Sequence, residues 1–446
     1  MHMSPLARAS CAIVGGAALV LAGSPAVAAD KDSDHRVVVD GLNNPRQLNW
    51  SSDLKTLVIA EAGRGGTACV PEVGCSGPTG AITLVDRPHK KHAVAVRAVQ
   101  GFRSFAGPDG GFAVGSNGAD ALETLDEGFI IAGPDLGSPP EESAAMLLAV
   151  GEQPGSYLII DFADLAAAER TQNPDGRQID SNPYAILFVD PTPKGPIGVD
   201  GYALVADAAA NAVWKVEPDL SYEPPASTGC FTEQAATNPD FDWSQCFKVA
   251  ITPWAVFPVT SVLPYPGPNA TKAQMDAYFA GRDPEFVPTS LATDKKGHVY
   301  VGGLGSGVAG AAQVVQFTAA GEEVTRFTGF TAITGVAVRG HHLYVSQLFG
   351  PTPPMPEGET PADEAPTTEG VPGQIIKTDR RDTDAERYAV EVPLPAGLAV
   401  DRKGRLYASV NSIAPAGGLA DSPFGAVGGG AVWEIDWSDA ELVEHD

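Results

Sequence analysis

The chain repeats one phrase, which is best preserved as PAGLAVDRKGRLYAS at residues 395–409. Apolar residues alternate through Leu398 and Val400, a polar turn ends in Gly404, and Leu406 resumes strand-type sequence. This order predicts a β-hairpin. Weaker copies read PTSLATDKKGHVYV at 288–301 and TGVAVRGHHLYV at 334–345, and looser ones begin at Pro45, Pro108 and Pro183. Repeated hairpins of this kind predict a β-propeller or a β-solenoid.

The spacing of the six copies selects between these two architectures. The intervals are irregular, which argues against a solenoid, and the shortest, from residue 288 to 334, matches one undecorated blade of about 40 to 45 residues. The last copy has no outer strand after Trp437, whereas HRVVVD at 35–40 precedes the first copy. We therefore expect an all-β, six-bladed propeller that the N-terminal strand closes.

The N-terminal segment reads as an export signal. Residues 1–29 contain Arg8, a short apolar run and a small-residue cleavage region, and the run is shorter than the roughly 20 residues that span a bilayer. We expect a secreted, extracellular protein with one propeller domain at 30–446. Within it we place an insertion at 217–285 and a mobile acidic, proline-rich loop at 350–373. Two short helices are predicted, at 162–170 after Asp161 as N-cap and at 273–280.

Four cysteines follow the signal segment, an even number that suits an oxidising compartment. Three pairings are open, and sequence proximity favours Cys69 with Cys75 and Cys230 with Cys246. A zinc site is the alternative, but the spacings fit no usual zinc pattern and no His lies nearby. Disulfides are the prediction.

The formal net charge of −26 bears on partners. An acidic surface repels phosphate backbones, so nucleic acid and anionic membranes are not expected as partners. We expect a monomer. Residues 305–310 match G-x-G-x-x-G, but they precede a predicted strand and not a helix, so they do not indicate a phosphate site.

Candidate functional residues come from the position of polar side chains on the predicted blades. Each first strand begins, and each second strand ends, at the same mouth of a propeller channel. Oxygen donors there suit Ca²⁺, and their mixture with Arg suits a small polar ligand. For any single residue the alternative is that it caps a turn. The candidate ligand-binding residues are Arg46, Glu61, Arg64, Asn182, Asp207, Asn211, Gln347 and Asn411.

At these residues the chain resembles the ScyD/ScyE family of secreted bacterial proteins. The matching phrases are VIAEAGRGG at 58–66, NPDG at 173–176 with SNPY at 181–184, ADAAANA at 206–212 and VPTSL at 287–291. The resemblance covers nearly all of the chain after the signal segment. It implies a six-bladed propeller related to NHL-type and gluconolactonase-like rings, and it implies no established reaction.

Three functions follow from this sequence. The leading hypothesis is a binding or scaffold propeller that requires no cofactor and binds a small polar ligand or another secreted protein, because no nucleophile–base pair is evident. The enzyme alternative is a Ca²⁺-dependent lactonase of gluconolactonase type, with Glu61, Asp207, Asn211 and Asn411 as metal ligands. A protein-interaction surface on the insertion and the acidic loop is the third.

Overall fold

The computed structural model describes most of the chain. The described residues are 19–20, 35–51, 54–70, 74–121, 127–132, 146–153, 156–177, 179–189, 201–219, 221–230, 232, 241, 243–246, 248–258, 284–350, 373–420, 422 and 426–443.

The strands of the described residues form six sheets. Sheet one contains β3 (Pro45–Trp50), β4 (Thr56–Glu61), β6 (Gly74–Asp86) and β7 (Val94–Ala106), with β1 (Leu19–Val20) on β7 and β5 (Ala68–Val70) on β6. Sheet two contains β8 (Ser116–Ala121), β9 (Glu127–Ala132), β10 (Met146–Gln153) and β11 (Ser156–Asp164). Sheet three contains β12 (Pro183–Val189), β13 (Tyr202–Asp207), β14 (Ala212–Pro218) and β15 (Val249–Val256).

The other three sheets follow the same antiparallel order. Sheet four contains β16 (Pro288–Thr293), β17 (Val299–Gly303), β18 (Ala312–Phe317) and β19 (Glu323–Phe330). Sheet five contains β20 (Ile333–Arg339), β21 (His342–Gln347), β22 (Gln374–Asp379), β23 (Arg387–Glu391) and β27 (Glu441–Val443). Sheet six contains β24 (Leu398–Val400), β25 (Leu406–Val410), β26 (Gly430–Glu434) and β2 (Arg36–Leu42).

The first strands of the sheets contact one another in sequence, from β3 through β8, β12, β16 and β20 to β24, and β24 returns to β3. Apolar clusters fill the spaces between successive sheets. Leu204 and Val213 of sheet three, for example, pack with Val301 of sheet four. An all-β propeller is therefore confirmed, and its core lies between the sheets.

The N-terminal strand β2 pairs antiparallel with β26, through Val37 opposite Trp433 and Val39 opposite Val432. Val39 and Leu42 are buried in the cluster that sheet six shares with sheet one. Sheet six thus takes one strand, β2, from the N-terminal part of the described chain and three strands, β24 to β26, from its C-terminal part. The short C-terminal strand β27 adds instead to β23 of sheet five, which the sequence did not predict.

The hairpin turn of the repeated phrase forms as its sequence suggests. Asp401 Oδ1 accepts hydrogen bonds from the amides of Lys403 and Arg405, and Gly404 adopts a φ of 87° that favours glycine. Asp294 makes the equivalent bonds in sheet four, and Gly297 has a φ of 82°. The two strands on either side are thereby held in register.

Several sequence predictions need correction. The first strand of sheet two is β8, so the phrase beginning at Pro108 precedes the strand and forms turns. Helix α1 spans Leu165–Gln172 with Asp164 as N-cap, because residues 162–164 continue β11. The range 217–285 includes an outer strand of sheet three, β15. The predicted helix at 273–280 and residues 351–372 of the acidic loop lie outside the described residues.

Both predicted disulfides are present, Cys69–Cys75 and Cys230–Cys246. The first joins β5 to β6, and the second lies in the segment between β14 and β15. Among the described helices, none has the length and apolar character needed to cross a bilayer.

Candidate functional site

A β-bulge interrupts five of the six first strands at the same place, directly after the residue that starts the strand. An extra residue in one strand bends the backbone and turns its side chain out of the ladder. The residues at this position are Arg46, Asn117, Tyr184, Thr289 and Thr334. All but Tyr184 are buried.

Three of these side chains donate a hydrogen bond to the first strand of the next sheet or to the residues before it. Asn117 Nδ2 donates to the Pro183 carbonyl at 3.0 Å, and Thr289 Oγ1 to that of Ile333 at 2.6 Å. Thr334 Oγ1 donates to the Pro395 carbonyl at 2.7 Å. These bonds join sheet two to three, four to five, and five to six.

Second-strand serines complete the same set of bonds. Ser346 Oγ donates to the Ala396 carbonyl at 2.6 Å, and Ser409 Oγ to that of Arg46 at 2.7 Å. We call these side chains and those of Asn117, Thr289 and Thr334 the inter-sheet belt. These polar side chains therefore join neighbouring sheets to one another.

Glu61 is held in place by an ion pair and by hydrogen bonds from other residues of the protein. It is fully buried and accepts bonds from Arg97 Nε at 2.9 Å and Nη2 at 2.6 Å, from Thr83 Oγ1, and from the amide of Asn43 at 2.8 Å. Its ion-pair partner is thus Arg97. Arg64, which follows closely in sequence, is exposed, and its backbone amide donates to Thr79 Oγ1.

Gln347 and Asn411 also bind backbone. Gln347 Oε1 accepts from the amide of Thr331 at 3.0 Å, and Asn411 Nδ2 donates to the Gly429 carbonyl at 3.1 Å. Asn411 has a φ of 49°, a conformation that asparagine tolerates better than most residues. Within the described residues, no hydrogen bond or ion pair joins Glu61, Asp207 and Asn411 to one another.

Arg46 is buried at the start of sheet one. Its Nη1 donates to the Ser412 carbonyl at 2.5 Å and its Nη2 to that of Ala113 at 2.7 Å. Its guanidinium carbon lies 5.9 Å from the centroid of the Tyr184 ring. The Arg46 side chain therefore connects sheets one and six with the start of sheet three.

Four buried polar atoms without a hydrogen-bond partner belong to Arg46 and to residues of the segments linked to it. They are Nε of Arg46, Oδ1 of Asn117, Oδ1 of Asn182 and Oγ of Ser412. Asn117 is bonded to Pro183, which lies between Asn182 and Tyr184. We call Arg46, Asn117, Asn182, Tyr184 and Ser412 the mouth site. Of its members, Arg46 and Asn182 were predicted from sequence.

Asp207 is completely buried at the end of β13. Its carboxylate accepts bonds from Ser181 Oγ, from the amides of Asn182 and Ala210 at 2.7 and 3.3 Å, and from Trp214 Nε1 at 3.2 Å. Burial raises the pKa of Asp207, and these hydrogen bonds act in the opposite direction. With four donors on two oxygens, the carboxylate is well satisfied where it is.

Asn211 lies four residues later in the turn after β13 and is almost completely buried. Its Nδ2 is 3.1 Å from Glu285 Oε2 and 3.4 Å from Asp175 Oδ2, and its Oδ1 accepts from the amide of Val287 at 3.0 Å. Glu285 is also paired with Arg177. Asn211 thus ties the turn after β13 to acidic residues from two other segments.

Further carboxylates surround this region, and we call Glu169, Asp175, Asp180 and Asp207 the acidic cluster. Glu169 on α1 is completely buried, and neither of its carboxylate oxygens has a hydrogen-bond partner. Burial, with the charges of Asp207, Asp175 and Asp180, raises the pKa of Glu169 to about 8. Sequence reasoning missed Glu169 and Asp180. The sequence feature that could have indicated them is the acidic stretch directly after the predicted helix.

The described residues contain no group of three or more His, Cys, Asp or Glu side chains that is already arranged to hold a metal ion. The predicted ligand set of Glu61, Asp207, Asn211 and Asn411 remains a prediction. Its members are individually occupied by the backbone and side-chain partners given above.

Comparisons with known proteins identify no family for this chain. No protein-family model matches it, and no curated protein is a significant relative. A luciferin-regenerating enzyme matches with a TM-score of 0.39 and 12% identity, over 92% of this chain and 98% of the enzyme. A glucose dehydrogenase-type oxidoreductase from Thermus thermophilus matches with 0.37 and 11%, over 90% and 99%.

Sqt1 of Saccharomyces cerevisiae matches with a TM-score of 0.33 and 8% identity, over 87% of this chain and 83% of Sqt1. These scores and identities are too low to transfer an activity or a site. The assignment as a propeller therefore rests on the sheets themselves.

Proposed function

We propose that this chain is a secreted binding propeller that takes a small polar ligand at its mouth site. The observation that carries the proposal is the group of four buried polar atoms without partners on Arg46, Asn117, Asn182 and Ser412. Buried polar atoms in folded proteins are nearly always hydrogen-bonded, because an unpaired one costs about 1–3 kcal/mol. A ligand that bonds to several of them would remove this cost.

The chemistry of these atoms indicates the ligand class. Arg46 Nε–H is a donor, the amide oxygens of Asn117 and Asn182 are acceptors, and the Ser412 hydroxyl can do both. No acidic side chain of the described residues pairs with Arg46, whose other bonds are to backbone carbonyls. A small molecule with several hydroxyl groups and a carboxylate or lactone carbonyl fits this set, and the Tyr184 ring offers an apolar face.

The test uses two side chains that make no hydrogen bond to another of the described residues. Asn182→Ala and Ser412→Ala remove the unpartnered side-chain atoms, while the Asn182 amide and the Ser412 carbonyl keep their bonds to Asp207 and Arg46. The double variant should fold with unchanged or higher stability. Thermal stabilisation by sugar acids and their lactones should appear in the unmodified protein and disappear in the variant.

Ser290→Ala is the matched control. Ser290 Oγ is also buried and unpartnered, but it lies in sheet four beside Gly302. This variant should keep ligand stabilisation intact. If the unmodified protein is stabilised by no compound of a panel of polyols, sugar acids and lactones, the mouth site is a purely structural feature.

Binding is better supported than a Ca²⁺-dependent lactonase activity with Glu61, Asp207, Asn211 and Asn411 as ligands. Arg97 already neutralises Glu61, and Asp207 already accepts four hydrogen bonds. A metal would have to displace these partners. The enzyme alternative therefore requires rearrangement that the binding proposal does not.

We further propose that the ring has six blades and that β2 seals it. The pairing of β2 with β26 and the return of β24 to β3 support this proposal. We also propose that the protein is secreted and that it belongs to the ScyD/ScyE family. The two disulfides support export, because disulfides persist mainly outside the cytosol.

A further inference from the structure

Basic residues are concentrated in four turns at the end of the ring opposite the mouth site. The turns are 86–92 of sheet one, 294–298 of sheet four, 339–342 of sheet five and 401–405 of sheet six, and we call them the basic rim. They hold nine of the chain's 29 Lys and Arg residues and five of its eight His, but only three of its 55 acids. A chain with a net charge of −26 therefore carries a positive surface at this end.

The positive charge of the basic rim faces solvent. Its acids Asp294 and Asp401 have side chains that are only 2% and 8% exposed, and each is paired with an Arg. Six rim cations are exposed and take part in no ion pair of the described residues, namely Lys90, Lys91, Lys295, Lys296, Arg402 and Lys403. These six charges are therefore available to a partner.

Hydrogen bonds join the rim turns of sheets four, five and six. Arg380, which follows β22, donates to the Gly340 carbonyl at 2.7 Å and to Asp294 Oδ2 at 2.8 Å. Arg339 Nη2 donates to the Arg402 carbonyl at 2.7 Å. The turns of these three sheets thus lie side by side.

The rim continues from sheet six to sheet one. Arg36 of β2 donates from Nη2 to the carbonyl of Pro88, in the turn 86–92, at 2.7 Å. The rings of Trp50 in sheet one and Tyr407 in sheet six are also in contact, with centroids 5.6 Å apart. The basic rim is therefore one surface across four neighbouring sheets.

Arg87 presents its charge outward where an equivalent residue turns inward. Arg380 and Arg87 each directly follow the third strand of a sheet, and each amide bonds to the carbonyl just before the second strand. The Arg380 side chain is 17% exposed, and its Nη1 donates to the Tyr300 hydroxyl at 2.7 Å. The Arg87 side chain is 59% exposed, with Asp86 3.7 Å away.

The outward position of Arg87 leaves a buried hydroxyl unsatisfied. Tyr407 occupies the position of Tyr300 in the repeated phrase, and its hydroxyl has no hydrogen-bond partner. A buried polar group without a partner destabilises a fold. An inward Arg87 would provide the bond that Arg380 provides to Tyr300, so the observed position is the one that serves a binding surface better than it serves stability.

We propose that the basic rim binds a linear polysaccharide whose sugars carry carboxylates, a polyuronate. Exposed Lys and Arg side chains bind carboxylates through charge-assisted hydrogen bonds. The exposed His92 and His341 can donate to and accept from sugar hydroxyls. The rim therefore matches a chain that offers both kinds of group.

Charge density favours this partner over more strongly charged polymers. Duplex nucleic acid carries one negative charge per about 1.7 Å of its axis. A polyuronate carries at most one per sugar. The acidic remainder of a chain with a net charge of −26 repels the denser polymer more strongly.

The test measures binding of the full-length protein to polygalacturonate by calorimetry at pH 7 in calcium-free buffer. Binding should be detectable at about 20 mM salt, where surface charges are little screened, and should weaken as salt is added. Neutral dextran should not bind. The Asn182→Ala, Ser412→Ala variant should bind polygalacturonate like the unmodified protein, so this proposal and that of the mouth site can fail separately.

Two double variants each remove a pair of exposed rim charges, Lys90→Gln with Lys91→Gln and Arg402→Gln with Lys403→Gln. Each should bind at least about fivefold more weakly at low salt, and the slope of log affinity against log salt should fall by roughly 1 to 2. Arg64→Gln with Arg326→Gln is the matched control, because it removes two exposed cations outside the rim. It should bind like the unmodified protein.

The pair of equivalent arginines provides a second comparison. Arg87→Gln should weaken binding and leave the thermal midpoint unchanged. Arg380→Gln should lower the midpoint, because it removes the Arg partner of the buried Asp294. A similar loss of stability in both variants would show that Arg87 is structural and would count against the proposal.

The proposal is overturned if the unmodified protein does not bind polygalacturonate at low salt, or if both rim double variants bind it as tightly as the control does. Equal or tighter binding of polyglutamate, duplex DNA or phosphatidylserine vesicles at the same concentration of charge would also overturn it. The basic rim would then recognise an acidic peptide, a nucleic acid or a membrane.

Discussion

The ion pair between Glu61 and Arg97 provides the sharpest test of whether polar residues at the second-strand ends are structural. Glu61 is completely buried, and the Arg97 side chain is 12% exposed. Glu61→Ala leaves Arg97 without its counter-charge and deprives Thr83 Oγ1 and the Asn43 amide of their acceptor. Breaking a buried pair by removing one partner costs about 3–5 kcal/mol.

Smaller substitutions separate the contributions of the hydrogen bonds and of the ion pair to the free energy of unfolding. Thr83→Val removes one hydrogen bond and keeps the shape, so it should cost about 1 kcal/mol. Arg97→Met, combined with Glu61→Ala, completes a double-mutant cycle whose coupling energy reports the pair itself. Glu323→Ala, which breaks an exposed pair with Arg326, should cost about 0–1 kcal/mol.

Urea unfolding, followed by tryptophan fluorescence, measures these differences. We expect the urea midpoint of unfolding to fall most for Glu61→Ala and least for Glu323→Ala. Adding Ca²⁺ should change none of these differences between the variants and the unmodified protein. A loss of less than about 1 kcal/mol for Glu61→Ala would contradict the reasoning. If Ca²⁺ stabilised the unmodified protein but not the Glu61→Ala variant, Glu61 would instead be assigned to a metal.

Three further predictions concern the whole ring. Deleting residues 30–41 removes most of β2 and exposes the edge of β26, so cooperative unfolding should be lost in a thermal melt, and an unchanged transition would refute closure by this strand. Replacing the Cys69–Cys75 or the Cys230–Cys246 pair by serine should each lower stability by only about 2–3 kcal/mol in urea titrations, because the closed loops are short. The contribution of Glu169 to stability should fall as the pH rises from about 4.5 to about 8, since the folded chain holds a proton that the unfolded chain releases; Glu169→Gln should flatten this dependence in melts across that range.

The repeated phrase made the propeller predictable, because alternation, turn residues and spacing are local properties. Asp401 and Gly404 form the turn that their sequence predicts. The misplaced start of sheet two has a local cause as well. The phrase at Pro108 has the expected composition, but its residues form turns, and the first strand begins at Ser116.

The candidate site was less predictable from the sequence. The same types of polar residue can either hold the strands in place or bind a ligand at the mouth. Asp207 and Asn211 were predicted, and Asn211 does contact acidic residues. Glu61 and Gln347 were predicted at equivalent positions, but Glu61 pairs with Arg97 of its own sheet, and Gln347 accepts a hydrogen bond from the amide of Thr331 just before its sheet begins. Partners such as Arg97 lie far along the chain, and sequence spacing carries no information about them.

The two roles can be told apart only by asking which polar atoms lack a partner. A belt residue such as Thr334 is satisfied by a carbonyl of the next sheet, so replacing it costs stability and changes no binding. The Asn182 and Glu169 side chains leave buried oxygens unpaired, so the fold is stabilised by whatever completes them. Substitution at such positions should maintain or raise the stability of the unliganded protein while removing a binding event. That combination is the signature that separates a functional residue from a structural one in this ring.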